Sequence, residues 1–289
     1  MKADKLFIKY KVYILKVVEQ ILPVKRRRIY SNEYYLSKFV YVLNNNIKWE
    51  LLYDINKPKC HWKTIYNEYL RWSSNNIFKI AWELFMKNNY FRLVIASKSK
   101  YLKLFIDVTK INNKRGVVGI TINNEYSKKN ITPLTIIGDN NNLPISVSVL
   151  NYKTIYKNGR RSCSHDVSGI QTGLDNIPLS IPQYMRVSLT GDKGYITSNS
   201  YTINNKNVKI VSPYRKNQKT VLTSASKKLL RQRYKIEHII NNLKSLDKLF
   251  VRNEKLLHTY MSFIYISFIQ QYYCYIEKLL HSGIKFNIL

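Results

Sequence analysis

Acidic residues are scarce in this chain: 17 Asp and Glu stand against 48 Lys and Arg, a formal net charge of +31 over 289 residues. That balance lies far outside the ordinary range and points to a polyanionic partner, nucleic acid before a membrane surface. Glycine and proline are also few, at 9 and 7, in a chain crowded with Asn, Ile, Lys and Tyr. An AT-rich genome imposes that bias and explains part of the lysine, but not the missing acids, whose codons are not GC-rich. The three cysteines, Cys60, Cys163 and Cys274, are odd in number, far apart and form no CxxC pair. This excludes a disulfide framework and a zinc knuckle. Long hydrophobic runs are absent too. The most apolar window, Tyr260 to Ile269, runs into Gln270 and Gln271 and is too short to span a bilayer. Charged residues follow Met1 where a signal peptide would be apolar. A soluble, intracellular protein with no membrane partner is expected.

What is present suits a globular chain: 45% of residues are apolar, and the length allows one large domain or two modest ones. Leu6, Tyr10, Tyr13, Val17 and Ile21 fall near one face of a helix over 5–22, stopped by Pro23. The basic run Lys25, Arg26, Arg27, Arg28 follows, either a solvated connector or an arm that grips phosphates. Ser31 reads as the N-cap of a helix to about Leu43, and further helices fit Lys63–Trp72 and Ile77–Lys87 around a Ser73-Ser74-Asn75-Asn76 turn. Such short helices with tight turns fit a helix-turn-helix; the bland alternative is a bundle that covers a sheet.

The texture changes at residue 102. Strands are expected at Leu102–Thr109, Val117–Ile122, Leu134–Gly138 and Pro144–Leu150, with a surface loop over 151–164. A helix from His165-Asp166 to Ile177 precedes a strand at Met185–Thr190. A weak helix over 197–204 and a strand at Val208–Val211 come next. After a basic connector at 214–224, long helices cover about Ser226–Leu246 and Lys255–Leu280. The second has aromatics on all sides and reads as a buried closing helix.

Asp107 ends the apolar run Leu104-Phe105-Ile106. A buried carboxylate there must be paired or bind a cation; otherwise it faces water. Asp192 lies just past a strand, between Gly191 and Gly194. Glu237 sits mid-helix, with Arg233 and Lys244 on the same face. Two aspartates and a glutamate on rigid elements can hold two Mg²⁺ (or Mn²⁺) ions about 4 Å apart, with Arg233 and Lys244 gripping phosphates. The plain alternative for Arg233 and Glu237 is a surface ion pair.

Three blocks carry a family likeness: Phe105-Ile106-Asp107-Val108-Thr109 with Lys114-Arg115-Gly116; Gly191-Asp192-Lys193-Gly194-Tyr195; and Arg233, Glu237 and Lys244 in spaced order. Together they resemble the DDE transposases of the insertion-sequence-five-like group. Asp139 with Leu143-Pro144, His165-Asp166, and Pro213-Tyr214-Arg215-Lys216-Asn217 are fainter echoes, as are Ile47-Lys48-Trp49 and the stretch Thr64 to Ser73. The likeness covers roughly 31 to 269.

The resemblance implies an α/β, RNase H-like mixed sheet flanked by helices, after an all-α, helix-turn-helix-like N-terminal region. The expected divisions are 1–95 for DNA binding, 101–270 for catalysis, and 271–289 for a helix end and tail. It implies that Asp107, Asp192 and Glu237 are the catalytic, metal-binding acids, and that the reaction is metal-dependent cleavage at element ends followed by strand transfer. The implied partners are double-stranded DNA (terminal inverted repeats and target) and a second copy of the chain. From charge, DNA contacts fall to Lys25–Arg28, Lys63, Arg71, Arg160, Arg161, Lys193, Arg215, Lys216, Arg233 and Lys244.

The likeness has departures. Leu230 stands where the family signature has tyrosine, and the connector before the Glu237 helix is short. Asp139 and Asp166 are rival acids with plain uses in a turn and as an N-cap, and His165 either contacts the scissile phosphate or caps its helix. A transposase-derived DNA-binding protein without catalysis and a two-metal DNA nuclease are the alternative functions.

Overall fold

A computed structural model describes residues 2–23, 29–52, 59–95, 100–122, 130–150, 154–157, 160–163, 166–214 and 222–281. For 2–10, 91–95, 121–122, 154–157 and 160–163 the description is of backbone alone. The chain forms two compact units. One comprises Met1–Arg92, Lys114–Val118 and Leu243–Leu289, the other Leu93–Asn113 and Gly119–Asn242.

The first unit opens with four helices: α1 (Lys2–Ile21), α2 (Asn32–Asn45), α3 (Trp62–Ser74) and α4 (Ile77–Ile95). In α1 the buried face is Tyr13, Ile14, Val17 and Val18, while Ile21 is 37% exposed. The Ser31 hydroxyl accepts a hydrogen bond from the Tyr34 amide at 3.1 Å and caps α2 as the sequence indicates, worth about 1 kcal/mol. Asn46 ends that helix in the left-handed region, at φ 51°. Aromatic rings fill the core: Phe39 lies 5.1 Å from Tyr69 and 5.2 Å from Trp72 in edge contacts. Each such buried ring stabilises the unit by roughly 2–3 kcal/mol.

The second unit is built on a mixed sheet. Its strands are β1 (Tyr101–Asn113), β2 (Thr121–Ile122), β3 (Asn130–Asp139) and β4 (Pro144–Val149), then a separate hairpin of β5 (Thr154–Lys157) and β6 (Arg160–Cys163). After helix α5 (Ile170–Asp175) come β7 (Arg186–Thr190), β8 (Thr202–Ile203) and β9 (Lys206–Val211), and then α6 (Ser224–Arg231) and α7 (Tyr234–Lys244). The spatial order is β2-β3-β1-β7-β9-β8, with β4 also paired to β3. β1 is antiparallel to β3 and parallel to β7, and β7 is parallel to β9. Antiparallel strands continued by parallel ones reached through crossovers are the RNase H-like pattern that the sequence implies.

Two helices take opposite faces of β3. An added Cβ on Gly138 would meet the terminal methyl of Ile239 of α7 at 2.0 Å, so this glycine lets the helix approach without displacing that side chain. One on Gly173 of α5 would meet Ile137 at 3.0 Å. Residues 137 and 138 point to opposite faces of a strand, so α5 and α7 sandwich the sheet.

Four expectations need correction. The 151–164 loop contains the β5–β6 hairpin, registered from Thr154 with Cys163 to Lys157 with Arg160. The expected strand over 117–122 is reduced to Thr121–Ile122. The weak helix at 197–204 is replaced by the β8–β9 hairpin, because Asn204 and Asn205 both take positive φ (48° and 61°), the backbone of a tight two-residue hairpin turn. The long helix at 226–246 breaks at Gln232 and Arg233, whose amides donate to Leu229 and Leu230 three residues back, a tightened turn that separates α6 from α7.

The chain returns to the first unit through α8 (Asp247–Phe250) and α9 (Leu257–His281). Aromatics do line α9 on several sides: Phe263 stacks on Tyr69 at 4.7 Å, and Tyr272 meets Trp82 at 5.1 Å. Compactness therefore groups α9 with the helical unit, whereas the sequence reading runs the catalytic division to 270. Arg252 is fully buried. It donates to the carbonyls of Glu254, Val118 and Lys255, and its guanidinium occupies the space an added Cβ on Gly116 would need, 2.4 Å away.

Candidate carboxylate site

β1 and β7 are adjacent and parallel, with Phe105 paired to Thr190. Asp107, midway along β1, and Asp192, just past the end of β7, each lie two residues beyond that pair, so the strand pairing brings them near one another, close enough for their charges to interact. Asp107 is also paired with Ile136 across β1 and β3. Directly opposed residues share a face, and Ile136 shares one with Gly138. Asp107 therefore points to the face that carries α7.

The electrostatics agree with that placement. The Asp107 carboxyl is pushed up to about 6, first by burial, then by the like charges of Asp192 and Asp166; the Val108 amide at 2.9 Å and the Arg233 guanidinium oppose the shift. Asp192 is fixed from its own turn, where its Oδ1 accepts the Gly194 amide at 2.7 Å. A Cβ on Gly194 would stand 2.9 Å from that oxygen and 3.9 Å from Asp166 Oδ2, so Asp166 lies close to the same turn. Asp166 belongs to a single 3₁₀ turn, Asp166–Gly169, where a regular helix was expected. Sequence reasoning set it aside because an acid at a helix start has an ordinary use.

Glu237 is exposed on α7 and paired with Arg233, Nη2 to Oε1 3.0 Å. Arg233 thus touches Glu237 and acts on Asp107. Among the described residues, no group of three or more His, Cys, Asp or Glu stands close enough to hold one metal ion. Asp139 spends its carboxylate on its own turn, accepting from the amides of Asn141 (2.8 Å) and Leu143 (3.0 Å). His165 lies outside the described residues.

Of the cations named from the sequence, Lys25–Arg28, Arg215 and Lys216 lie outside the described residues, and Arg160 and Arg161 are described by backbone alone. Lys63 and Lys193 are exposed and Lys244 half-buried. Arg71 is held by Glu68 (3.1 Å) and the Pro23 carbonyl (3.2 Å), a brace within the helical unit. The structure adds a cationic group that no motif flagged. A cavity of about 760 Å³ is lined by Lys103, Arg186, Lys206, Lys209 and Lys228, with no acid in its wall. It lies at the beginning of β1 and β7, the opposite end from Asp107 and Asp192.

Residues 173–253 match the family model of a transposase DDE domain; the segment contains Asp192 and Glu237 and begins beyond Asp107. No curated protein matches the chain. A cryo-EM structure of a piggyBac transposase synaptic complex with hairpin DNA is similar over 98% of this chain and 76% of that one, at 10% identity and TM-score 0.47. That likeness is too low to bear on the site. Over residues 173–253 the chain is thus similar to the DDE domain of transposases. Among the described residues no helix is long and apolar enough to cross a membrane.

Proposed function

We propose that this chain is an active transposase of the insertion-sequence-five-like group, cutting DNA at the terminal inverted repeats of a mobile element and joining the ends to target DNA. The observation that carries the proposal is the DDE-domain match over 173–253, with Asp107 and Asp192 each two residues beyond the Phe105–Thr190 pair of adjacent parallel strands. Asp107, Asp192 and Glu237 are the proposed metal-binding and catalytic residues. Their all-oxygen donor set suits Mg²⁺ or Mn²⁺, and the burial, with the neighbouring charges of Asp192 and Asp166, that raises Asp107 is what a cation would offset. When bound, two such ions supply an activated water or 3′-hydroxyl and charge stabilisation on the leaving oxygen.

The chain's own residues hold and orient these acids. The Gly194 amide fixes the Asp192 carboxylate, and Arg233 holds Glu237 until a phosphate competes for the guanidinium. Phosphates elsewhere along the duplex fall to the acid-free cavity of Lys103, Arg186, Lys206, Lys209 and Lys228, and to Lys63, Lys193 and Lys244. A homodimer acting on paired ends, wherever in the cell the target DNA lies, completes the reading.

The second reading, a DNA-binding protein without catalysis, draws on the Arg233–Glu237 pair and the absence of a ready three-acid cluster among the described residues. One assay separates them. Nicking of end-sequence DNA under Mg²⁺ or Mn²⁺, lost in Asp192→Ala with binding retained, supports the enzyme. A footprint without a cut supports the binding protein. Cleavage without joining of a pre-cut end to plasmid DNA supports a nuclease.

A further inference from the structure

The helical unit contains a cavity of about 670 Å³ that the carboxylate chemistry does not use, within the ~300–1,000 Å³ range of small-ligand sites. Its wall carries five Lys or Arg side chains against two Glu. One of those acids, Glu254, is already paired with buried Lys248, Oε1 to Nζ 3.0 Å. Four cations therefore face Glu50 alone, and the cavity is electropositive. Lys63, Arg115 and Lys255 among them are exposed. Arg115 reaches the cavity because the Lys114–Val118 segment is laced to Arg252 and Lys255: the Lys114 amide donates to the Arg252 carbonyl (3.0 Å) and the Val117 amide to that of Lys255 (3.3 Å).

Two half-buried rings, Trp62 and Tyr66, stand in the same wall one helical turn apart on α3. Lys63 Nζ lies 5.7 Å from the centre of the Trp62 ring. Deeper in, Glu254 is 9% exposed, and its Oε2 has no hydrogen-bond partner. A buried carboxylate oxygen left unbonded is costly and marks a place for a donor. Rings for stacking, cations for phosphate and one buried acceptor are what an unstacked nucleotide needs.

We propose that this cavity receives one unpaired nucleotide of the DNA substrate. Its base lies against Trp62 and Tyr66, its phosphate is held by Lys63, Arg115 and Lys255, and an exocyclic amino group donates to Glu254 Oε2 after that carboxyl rotates about its own axis. Cytosine, adenine and guanine, which carry an exocyclic amino group, are accepted; thymine, which offers only its ring N3–H, is disfavoured. The inference rests on the reading of DNA as substrate and deepens it.

The test is binding of short DNA duplexes by the full chain, with one bulged dC, dA or dT or with no bulge, followed by fluorescence anisotropy. Bulged dC and dA are expected to bind roughly tenfold tighter than bulged dT. Trp62→Ala should lose about tenfold on bulged duplexes while leaving the perfect duplex unchanged. Glu254→Gln should erase or invert the preference against dT; Trp62→Ala, at a half-buried position, keeps the test valid if Glu254→Gln fails to fold. Equal binding of all bulges by wild type, or Trp62→Ala weakening perfect and bulged duplexes alike, overturns the cavity proposal and leaves DNA binding intact. Failure to bind any duplex overturns the DNA reading itself, and this inference with it.

Discussion

The two units treat buried charge in opposite ways. In the helical unit Arg252 is fully buried, yet it donates to three backbone carbonyls and stands over the Tyr260 ring; Lys248 is 5% exposed and finds both Glu254 and the Ile47 carbonyl. Such charges are matched by neighbours of opposite sign or by dipoles, the arrangement expected of groups that hold a fold. In the sheet unit Asp107 is half-buried beside two like charges, with Arg233 as the opposing cation. Perturbed carboxyls of that kind cluster at functional sites more often than in structural pairs, which is why the proposed function rests on this group.

Breaking each arrangement should have opposite consequences for stability. The largest loss is expected from Lys248→Met, which leaves the Glu254 carboxylate buried without its partner; a cost of about 3–5 kcal/mol should appear in urea unfolding. Asp107→Asn should do the reverse near neutral pH. Because the folded carboxyl titrates near 6 and the unfolded one near ~4, the folded state binds its proton more tightly. Its ionisation therefore removes stability as pH rises through that window. Asp107→Asn should raise the melting temperature at pH 7 and leave it unchanged at pH 4; equal effects at both would refute the raised titration of this carboxyl.

Smaller changes sharpen the same contrast. Arg233→Met removes the cation acting on Asp107 and should move its titration further up, whereas Asp166→Asn removes a like charge and should move it down. Carboxyl NMR reads both shifts, and movement in the same direction would contradict the geometry. Smallest of all, Lys209→Ala or Lys228→Ala in the acid-free cavity should weaken duplex binding uniformly across sequences and flatten its salt dependence by about one counterion.

What the sequence made legible follows from the range of the interactions involved. Ser31 as a cap, the apolar run into Asp107, and Asp192 beyond a strand are local signals, and each stands where the chain pattern indicates. The Asn204-Asn205 turn is also local, but two asparagines between strands as short as Thr202–Ile203 and Lys206–Val211 leave too little alternation to separate a hairpin from a weak helix. The β5–β6 hairpin gave no alternation to read, since Arg160-Arg161-Ser162-Cys163 is polar throughout. The break at Gln232–Arg233 falls inside an unbroken helical pattern. Asp166 beside the Asp192 turn and Glu254 on Lys248 were illegible because such approaches are made by tertiary packing, not by spacing in the chain.

The most direct test of the central claim is an Mn²⁺ titration of the full chain bound to end-sequence DNA, followed by the electron paramagnetic resonance signal of the free ion. The account predicts bound Mn²⁺ in the wild type, lost in Asp107→Asn and Asp192→Asn and weakened in Glu237→Gln, with all variants still holding DNA. Mn²⁺ uptake indifferent to all three substitutions would contradict it.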